Sequence, residues 1–306
     1  MRTVHGARLE RDVLPGGAVM TTVHGGRSGP TLALLGGVHG DEDEGVLAVW
    51  RILDELEGSA LRGTVRAVAP ANPAAWSAGA RRTPHDGGDL ARSFPGDCHG
   101  GPTEVIADGI TNRVIDGADL LIDLHSGGLR YSMPLFCGVL HEGLWAAAAF
   151  GAPLTWLHDS WPHGRSLVAA RDRGIPAMYV ECGGGGAIRQ EDLRTYVTGV
   201  LSVMAELGML SDRSRTEPSA EPRWVRGSGD LDAGATSSRA GLFAATAVAG
   251  DLIPDGGEIG RLFGYQGELL EIVRAPRCGV LMFLRRQART MRGEVLFVLA
   301  DPCEAP

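Results

Sequence analysis

The most informative segment of the sequence is Leu34-Leu35-Gly36-Gly37-Val38-His39-Gly40-Asp41-Glu42-Asp43-Glu44-Gly45. An apolar run from Thr31 to Leu35 predicts a buried strand, and the glycine pair after it permits a sharp turn. His39 and Glu42 then stand just before an amphipathic helix. An imidazole and a carboxylate at this spacing can converge on one cation and suit Zn²⁺. The acids could instead be first-turn residues that complement the helix dipole, and this segment alone leaves both interpretations open.

The length and composition are typical of a globular protein. With 306 residues, of which 44% are hydrophobic and 22% charged, the chain can bury one large core and a smaller one. A net charge of −8 argues against a nucleic-acid partner. Each of the 29 basic residues is Arg, so a Schiff-base mechanism or a catalytic Lys is excluded.

The cysteine pattern and the N-terminal sequence indicate the cellular compartment of the protein. The five cysteines are scattered and lack CxxC spacing, which argues against a disulfide framework or a Cys-rich zinc site. The N-terminus has no basic-then-apolar signal pattern, and no apolar stretch reaches membrane-spanning length. We therefore expect a cytoplasmic protein without a membrane partner.

Predicted strands and helices alternate along the first two thirds of the chain. The apolar run Asp119 to Leu124 leads directly into His125, and the run Pro176 to Val180 ends in Glu181. This alternation predicts an α/β domain with a largely parallel sheet, whose ligands bind beyond the carboxyl ends of the strands. Since His39, Glu42, His125 and Glu181 all follow strands, we expect these four side chains to meet at one sheet edge.

The pattern changes near the end of the chain. Residues 210–223 are polar and contain prolines, which is typical of a domain boundary. Beyond them, short apolar runs separated by Gly, Asp and Pro predict a small all-β module. The sequence thus predicts a catalytic α/β domain over residues 1–209 and a β-rich domain over residues 224–306.

A long irregular segment, residues 71–102, contains several arginines. It holds the pair Arg81-Arg82 and the stretch Asp89-Leu90-Ala91-Arg92-Ser93-Phe94-Pro95-Gly96. A loop of this length inside a compact domain is usually functional or disordered. Fixed turn residues mixed with arginines favour a loop ordered around an anion, and a solvated basic loop is the alternative.

These residue types together suggest metal-assisted hydrolysis of an amide or ester. Two histidines and one carboxylate form a zinc set that leaves a fourth position for water. Glu181 then suits the role of general base, which passes a proton from that water to the leaving group. An arginine of the long loop would stabilise the developing oxyanion, and a second would grip a substrate carboxylate.

The same residues resemble a known family. The set His39-x-x-Glu42, His125 in Asp-Leu-His-Ser-Gly-Gly and Glu181 in Val-Glu-Cys-Gly-Gly is similar to that of the succinylglutamate desuccinylase/aspartoacylase family, especially its N-acetyl-diaminobutyrate deacetylase members. The resemblance runs from about residue 28 to 302. It implies a zinc-carboxypeptidase-like fold, with a mixed, mostly parallel sheet flanked by helices and a small C-terminal all-β domain.

The resemblance also implies roles. Carried over by motif, one Zn²⁺ per chain would be held by His39, Glu42 and His125, with Glu181 as catalytic base. The family's carbonyl-polarising arginine corresponds to Arg81, with Arg82 as the adjacent alternative, and its carboxylate-binding Asn-Arg pair corresponds to Ala91-Arg92. The Asn is absent here, so either Arg92 binds the carboxylate without it or the substrate differs.

The resulting prediction is a zinc-dependent deacylase of a small N-acylated amino acid or amine, acting through attack of zinc-bound water. A carboxypeptidase-like peptidase and a non-catalytic metal-binding relative are the alternatives. A deep pocket capped by the β-rich part would favour the deacylase, and an open groove the peptidase. A homo-oligomer is left open. We expect the remaining loop histidines to be solvated, namely His85, His99, His141, His158 and His163.

Overall fold

The computed structural model describes residues 3–4, 7–57, 59–211, 214 and 221–306. Its α-helices are α1 (Asp43–Leu56), α2 (Pro73–Ser77), α3 (Pro102–Ile110), α4 (Leu144–Phe150), α5 (Ser166–Arg171) and α6 (Gln190–Glu206). Strands before the polar segment are β1 (Thr3–Val4), β2 (Ala7–Val13), β3 (Val19–His24), β4 (Arg27–Gly36), β5 (Arg62–Val68), β6 (Leu120–Leu124), β7 (Tyr131–Ser132), β8 (Phe136–Val139), β9 (Leu154–Leu157) and β10 (Ala177–Glu181). Strands after it are β11 (Arg223–Arg226), β12 (Ala235–Thr236), β13 (Gly241–Ala245), β14 (Leu252–Ile253), β15 (Glu258–Phe263), β16 (Leu269–Arg274), β17 (Gly279–Arg285), β18 (Arg289–Thr290) and β19 (Val295–Cys303).

Most strands of the described residues join one large mixed sheet. Its main path runs β1-β2-β3-β5-β4-β6-β10-β8-β9-β11-β19-β17-β14. The central run β5-β4-β6-β10 is parallel throughout, whereas β8 is antiparallel to β10. The carboxyl ends of β4, β6 and β10 therefore lie side by side at one edge of the sheet. A smaller antiparallel sheet has the order β16-β15-β13-β18.

Helices cover both faces of the large sheet, because its central strands are apolar on both sides. On one face, α1, α4 and α6 contribute buried residues such as Ile52, Phe150 and Val200. On the other, Ile110 of α3 and Val168 of α5 pack against the sheet. A third apolar cluster lies within the C-terminal strands. The predicted fold class, a mixed α/β sheet flanked by helices with a β-rich C-terminal part, is confirmed.

Some local predictions were less exact. The residue pattern predicts a single helix over Thr103 to Asp116, but α3 ends at Ile110 and a π-helical turn follows over Thr111–Ile115. Helical spacing also predicts Trp50 on the core-facing stripe of α1, yet it is 41% exposed and donates to the Ala69 carbonyl. No helix in the described ranges is long and apolar enough to cross a bilayer.

The predicted boundary falls largely outside the described residues. The glycine at position 58 predicts the end of the first helix, but Gly58 and most of the 210–223 segment lie outside the described residues. Downstream, β11 pairs in parallel with β9 and antiparallel with β19, so the large sheet includes strands from both sides of the segment. The division into residues 1–209 and 224–306 stays a prediction.

Candidate active site

Neighbouring parallel strands deliver the chemically active side chains to one edge of the sheet. His39 follows β4 by three residues, His125 comes directly after β6, and Glu181 is the last residue of β10. Glu42 is the N-cap residue of α1, which begins at the same edge. The four residues expected from the sequence to meet therefore do so, and all of them line one cavity.

Close packing of α1 on β6 brings Glu42 to His125. Gly45, in the first turn of α1, lies so near the Leu124 carbonyl that a Cβ at this position would overlap its oxygen. Only glycine permits this approach of helix to strand. The Ser126 amide then donates to Glu42 Oε2 over 3.1 Å. The short distance between α1 and β6 thus sets the distance between the carboxylate and the second imidazole.

His39, Glu42 and His125 form a buried group that could hold a metal ion. Their candidate ligand atoms all lie within 4.8 Å of one another. The Nδ1 atom of His39 is 2.7 Å from Glu42 Oε1, and that of His125 is 3.0 Å from Oε2. Burial works to raise the pKa of Glu42, but the two imidazoles hold that pKa well below its ordinary value. The carboxylate is therefore ionised, as a metal ligand must be.

Each imidazole also has a carboxylate against its outer nitrogen. His39 Nε2 lies 3.1 Å from Asp89 Oδ1, and His125 Nε2 lies 3.2 Å from Asp123 Oδ1. The Ser166 hydroxyl donates to the other oxygen of Asp123. Carboxylates placed in this way fix the tautomer and ring orientation of metal-ligating histidines. The residues present fit a divalent ion such as Zn²⁺, because both inner Nδ1 atoms face the same carboxylate.

The structure separates the two adjacent arginines of the long loop. Arg81 lines the cavity, with Nη1 3.1 Å from Glu42 Oε1 and Nε 3.8 Å from Asp89 Oδ2. Arg82 is exposed and is not among the cavity-lining residues. Arg81 is thus the one placed to contact a substrate at the metal group.

A second pair of arginines lies further along the cavity. Arg92 lines it and contacts Asp232 over 3.0 Å. Arg165, which the sequence analysis missed, donates to the Ala91 carbonyl and contacts Asp230, both over 3.1 Å. Burial, followed by repulsion from Arg92, lowers the pKa of Arg165 to about 10. Arg165 therefore lies beside the alanine that replaces the family's asparagine.

Glu181 has the environment expected of a general base. It is 8% exposed, and its Oε2 atom has no hydrogen-bond partner within the described part of the chain. Burial raises its pKa well above the ordinary value, and the negative charge of Glu42 adds to this, while His125 and Arg81 oppose it. A carboxyl group with a raised pKa can both take and release a proton near neutral pH.

The cavity is closed partly by the C-terminal strands. Residues from beyond the polar segment contribute to its wall, namely Ser228, Gly229, Leu231 and Phe283. Residues from both sides of the polar segment therefore build one cavity.

Aromatic side chains line the same cavity as His39, Glu42, His125 and Glu181. Trp161 and Tyr179 line the cavity together with His158, whose ring centroid is 4.9 Å from that of Trp161. The expectation that His158 is solvated was wrong: it is 3% exposed, and its nitrogens contact Gly227 and Tyr179. Burial lowers the pKa of His158 from 6.5 to about 4, so the imidazole is neutral.

This neutral histidine predicts acid destabilisation. In the unfolded chain His158 takes up a proton near pH 6.5, whereas the folded chain does so only near pH 4. The free energy of unfolding should therefore fall as the pH falls through this window, with at most about 3 kcal/mol due to His158. We expect urea unfolding at several pH values between 7 and 4.5 to show a free energy of unfolding that falls less steeply with pH for His158→Gln than for wild type. His141 is exposed, so His141→Gln should show the same dependence of unfolding free energy on pH as wild type. The same dependence for all three proteins would contradict a lowered pKa of His158.

Comparisons with known proteins agree with this geometry. A family model described as the succinylglutamate desuccinylase/aspartoacylase catalytic domain matches residues 28–207, more than half of the chain. The chain belongs to the succinylglutamate desuccinylase/aspartoacylase family. The resemblance predicted from the motifs is thereby confirmed, and so is the prediction of an enzyme that hydrolyses amides.

Several members of the succinylglutamate desuccinylase/aspartoacylase family are similar over nearly the whole chain. The N-alpha-acetyl-L-2,4-diaminobutyric acid deacetylase of Halomonas elongata is 32% identical, covering 97% of this chain and 90% of that protein. The product-bound ectoine utilization protein EutE (DoeB) of Ruegeria pomeroyi is 27% identical with a TM-score of 0.81, covering 92% and 88%. A succinylglutamate desuccinylase/aspartoacylase of Rhodobacter sphaeroides is 27% identical with a TM-score of 0.84, covering 99% and 97%.

Proposed function

We propose that this protein is a zinc-dependent deacylase that removes an acyl group from a small N-acylated amino acid, with an N-acetylated diamino acid as the best candidate. The observation that carries the proposal is the buried His39–Glu42–His125 group, which shares a cavity with Glu181, whose Oε2 atom has no hydrogen-bond partner among the described residues. Similarity to the Halomonas elongata deacetylase over nearly the whole chain supports the choice of substrate.

His39, Glu42 and His125 would hold the zinc ion. When bound, Zn²⁺ would supply Lewis-acid chemistry, polarising the substrate carbonyl and lowering the pKa of water. Asp89 would orient the imidazole of His39 by accepting from its outer nitrogen, and the carboxylate of Asp123 lies 3.2 Å from the outer nitrogen of His125. This orientation needs no reorganisation when substrate binds, so the site is ready for reaction in advance.

Proton transfer falls to Glu181. Its raised pKa allows the carboxylate to take a proton from the attacking water and to deliver it to the nitrogen of the leaving amine. The scissile C–N bond then breaks, and a carboxylic acid and a free amine are released. Arg81 can donate to the carbonyl oxygen as that oxygen becomes negative, because its guanidinium lies next to Glu42.

Substrate positioning falls to Arg92 and Arg165. Ala91 has no amide with which to bind a carboxylate, but the guanidinium of Arg165 lies against its carbonyl. Two guanidinium groups can grip a carboxylate through paired N–H donors. We propose that they hold the α-carboxylate of the substrate, with Arg165 serving in place of the missing asparagine. Arg82 is exposed and takes no part in this proposal.

The proposal is tested by zinc analysis together with acid release from a matched substrate panel. The panel pairs acetyl and succinyl groups with alanine, aspartate, glutamate and 2,4-diaminobutyrate. We expect about one zinc per chain, hydrolysis that stops on chelation and returns with zinc, and the highest kcat/KM for N-α-acetyl-2,4-diaminobutyrate. A zinc-loaded protein that releases no acid from any member would refute the deacylase. Release of C-terminal residues from peptides would favour a peptidase.

A further inference from the structure

A buried tyrosine lies beside the proposed base. Tyr179 precedes Glu181 by two residues on β10, so both side chains project from the same face of the sheet. Tyr179 is 8% exposed and lines the cavity. Its ring lies over Gly138, the residue opposite it on β8, where any Cβ would overlap the ring. The glycine therefore makes room for the tyrosine at this point in the sheet.

The hydroxyl group of Tyr179 has a fixed hydrogen-bond direction. His158 Nδ1 lies 2.8 Å from the Gly227 carbonyl oxygen, which can only accept, so Nδ1 must carry the proton. The neutral ring then has a bare Nε2, which lies 3.0 Å from the Tyr179 oxygen. The phenol must donate its proton to Nε2 and therefore away from any substrate. Since burial lowers the pKa of His158 to about 4, this arrangement persists at neutral pH.

The Tyr179 hydroxyl oxygen can therefore accept a hydrogen bond from a ligand but cannot donate one. Within the described part of the chain His158 is the only hydrogen-bond partner of the Tyr179 oxygen, which therefore keeps lone-pair capacity but has no proton left to give. Such an oxygen can accept from an N–H group and cannot donate to a carboxylate. The rings of Trp161 and Tyr179, 5.8 Å apart, add an electron-rich surface that attracts cations.

The surrounding charge is also favourable to a cation. Glu181 projects from the same face of β10 two residues away; burial raises the pKa of Tyr179 well above its ordinary value, and the negative charge of Glu181 adds to this while Arg165 opposes it. Arg92 and Arg165 remain the groups suited to a carboxylate.

We propose that Tyr179, held by His158, is a specificity-determining residue that binds the distal amino group of an N-acyl diamino acid and disfavours a second carboxylate at that position. This inference rests on the proposed deacylase function and extends it to the side chain of the substrate. Because the Tyr179 oxygen can accept but not donate, the site would favour diamino-acid substrates over dicarboxylic ones, such as N-acylated aspartate or glutamate.

The test compares two substrates that differ only in the distal ammonium, N-α-acetyl-2,4-diaminobutyrate and N-acetyl-2-aminobutyrate. Tyr179→Phe keeps the ring and removes the oxygen. We expect kcat/KM for the charged substrate to fall by about 10- to 100-fold, the range for loss of a hydrogen bond to a charged group. The value for the uncharged substrate should stay within about 3-fold, the usual context-dependent scatter of hydrogen-bond energies. Tyr131→Phe is the matched control, because that buried hydroxyl contacts the Val295 carbonyl and does not line the cavity.

A second variant addresses the direction of the hydrogen bond. His158→Phe removes the acceptor and frees the phenol proton to face the cavity. We expect the ratio of kcat/KM for N-acetylaspartate to that for N-α-acetyl-2,4-diaminobutyrate to rise. Zinc content and thermal unfolding of each variant show whether the site and fold are retained.

Calorimetry separates this inference from the proposed function. Wild type should bind 2,4-diaminobutyrate more tightly than 2-aminobutyrate, and Tyr179→Phe should remove the difference. Equal losses for both substrates, or an unchanged ratio, would make Tyr179 a structural residue and overturn the inference. If wild type hydrolyses neither substrate, the deacylase proposal fails, and the binding difference alone then decides the role of Tyr179.

Discussion

Glu181→Gln should bind zinc as wild type does and yet lose about 10²- to 10⁴-fold in kcat, the usual contribution of a positioned general base. The amide has nearly the shape of the carboxyl group but cannot take a proton from water at neutral pH. The metal group is untouched, because its ligands are expected to be His39, Glu42 and His125. Steady-state kinetics with the best substrate of the panel and elemental analysis of zinc give the two measurements.

Thermal unfolding of the metal-free protein adds a third measurement. Burial raises the pKa of Glu181 in the folded state above its ordinary value of 4.5. At neutral pH the folded chain must therefore either keep a carboxylate in an unfavourable place or bind a proton that the unfolded chain does not, and both reduce the free energy of unfolding. A neutral glutamine removes this cost, so the Tm of metal-free Glu181→Gln should equal or exceed that of wild type.

Glu55→Gln is the matched control, since Glu55 is an exposed residue of α1. It should leave kcat, zinc content and Tm at wild-type values. A Glu181→Gln variant with near wild-type kcat would assign the base role elsewhere. A variant that loses zinc together with activity would instead make Glu181 a ligand.

The central part of the site was predictable from the sequence because it depends on strand ends. An apolar run followed by a histidine or glutamate predicts both a buried strand and the position of its carboxyl end. Leu120–Leu124 followed by His125 is an example. Parallel strands place such residues at a common edge whichever order they take. The meeting of His39, His125 and Glu181 therefore followed from local patterns, although the strand order did not.

The outer part of the site was not predictable, because its contacts join distant segments without a local pattern. Asp89 reaches His39 across 50 positions of sequence. Arg165 lies in a loop before α5, and nothing in its neighbouring residues indicates that it packs against Ala91. His158 was expected in solvent because it follows a short strand, β9, that the pattern did not identify. Each of these positions is set by how loops pack on the sheet rather than by periodicity.

His125→Ala should lose most of its zinc. The substitution removes one of three candidate ligand atoms, so we expect metal affinity to fall by more than the 10- to 100-fold typical of losing an outer partner. Asp89→Asn removes the charge beside His39 Nε2 and alters the contacts of Asp89 with Arg81 and the Ala91 amide, but it leaves all three candidate ligands in place, so its affinity should fall within that range and provides an internal standard. Competition with a chelator of known affinity would order the three proteins as wild type, Asp89→Asn and His125→Ala.

His125→Ala is expected to fold, because contacts of the main chain fix this position. The His125 amide donates to the Val180 carbonyl over 2.8 Å, and the Tyr196 hydroxyl donates to the His125 carbonyl over 2.6 Å. Neither contact needs the imidazole. Wild-type zinc content in a folded His125→Ala protein would refute the assignment of His125 as a ligand. Loss of zinc with retained structure would support a metal site formed by His39, Glu42 and His125. Since Glu42 owes its low pKa to both imidazoles, removing one should also raise the pH needed to bind zinc, and this shift separates loss of a ligand from general damage to the site.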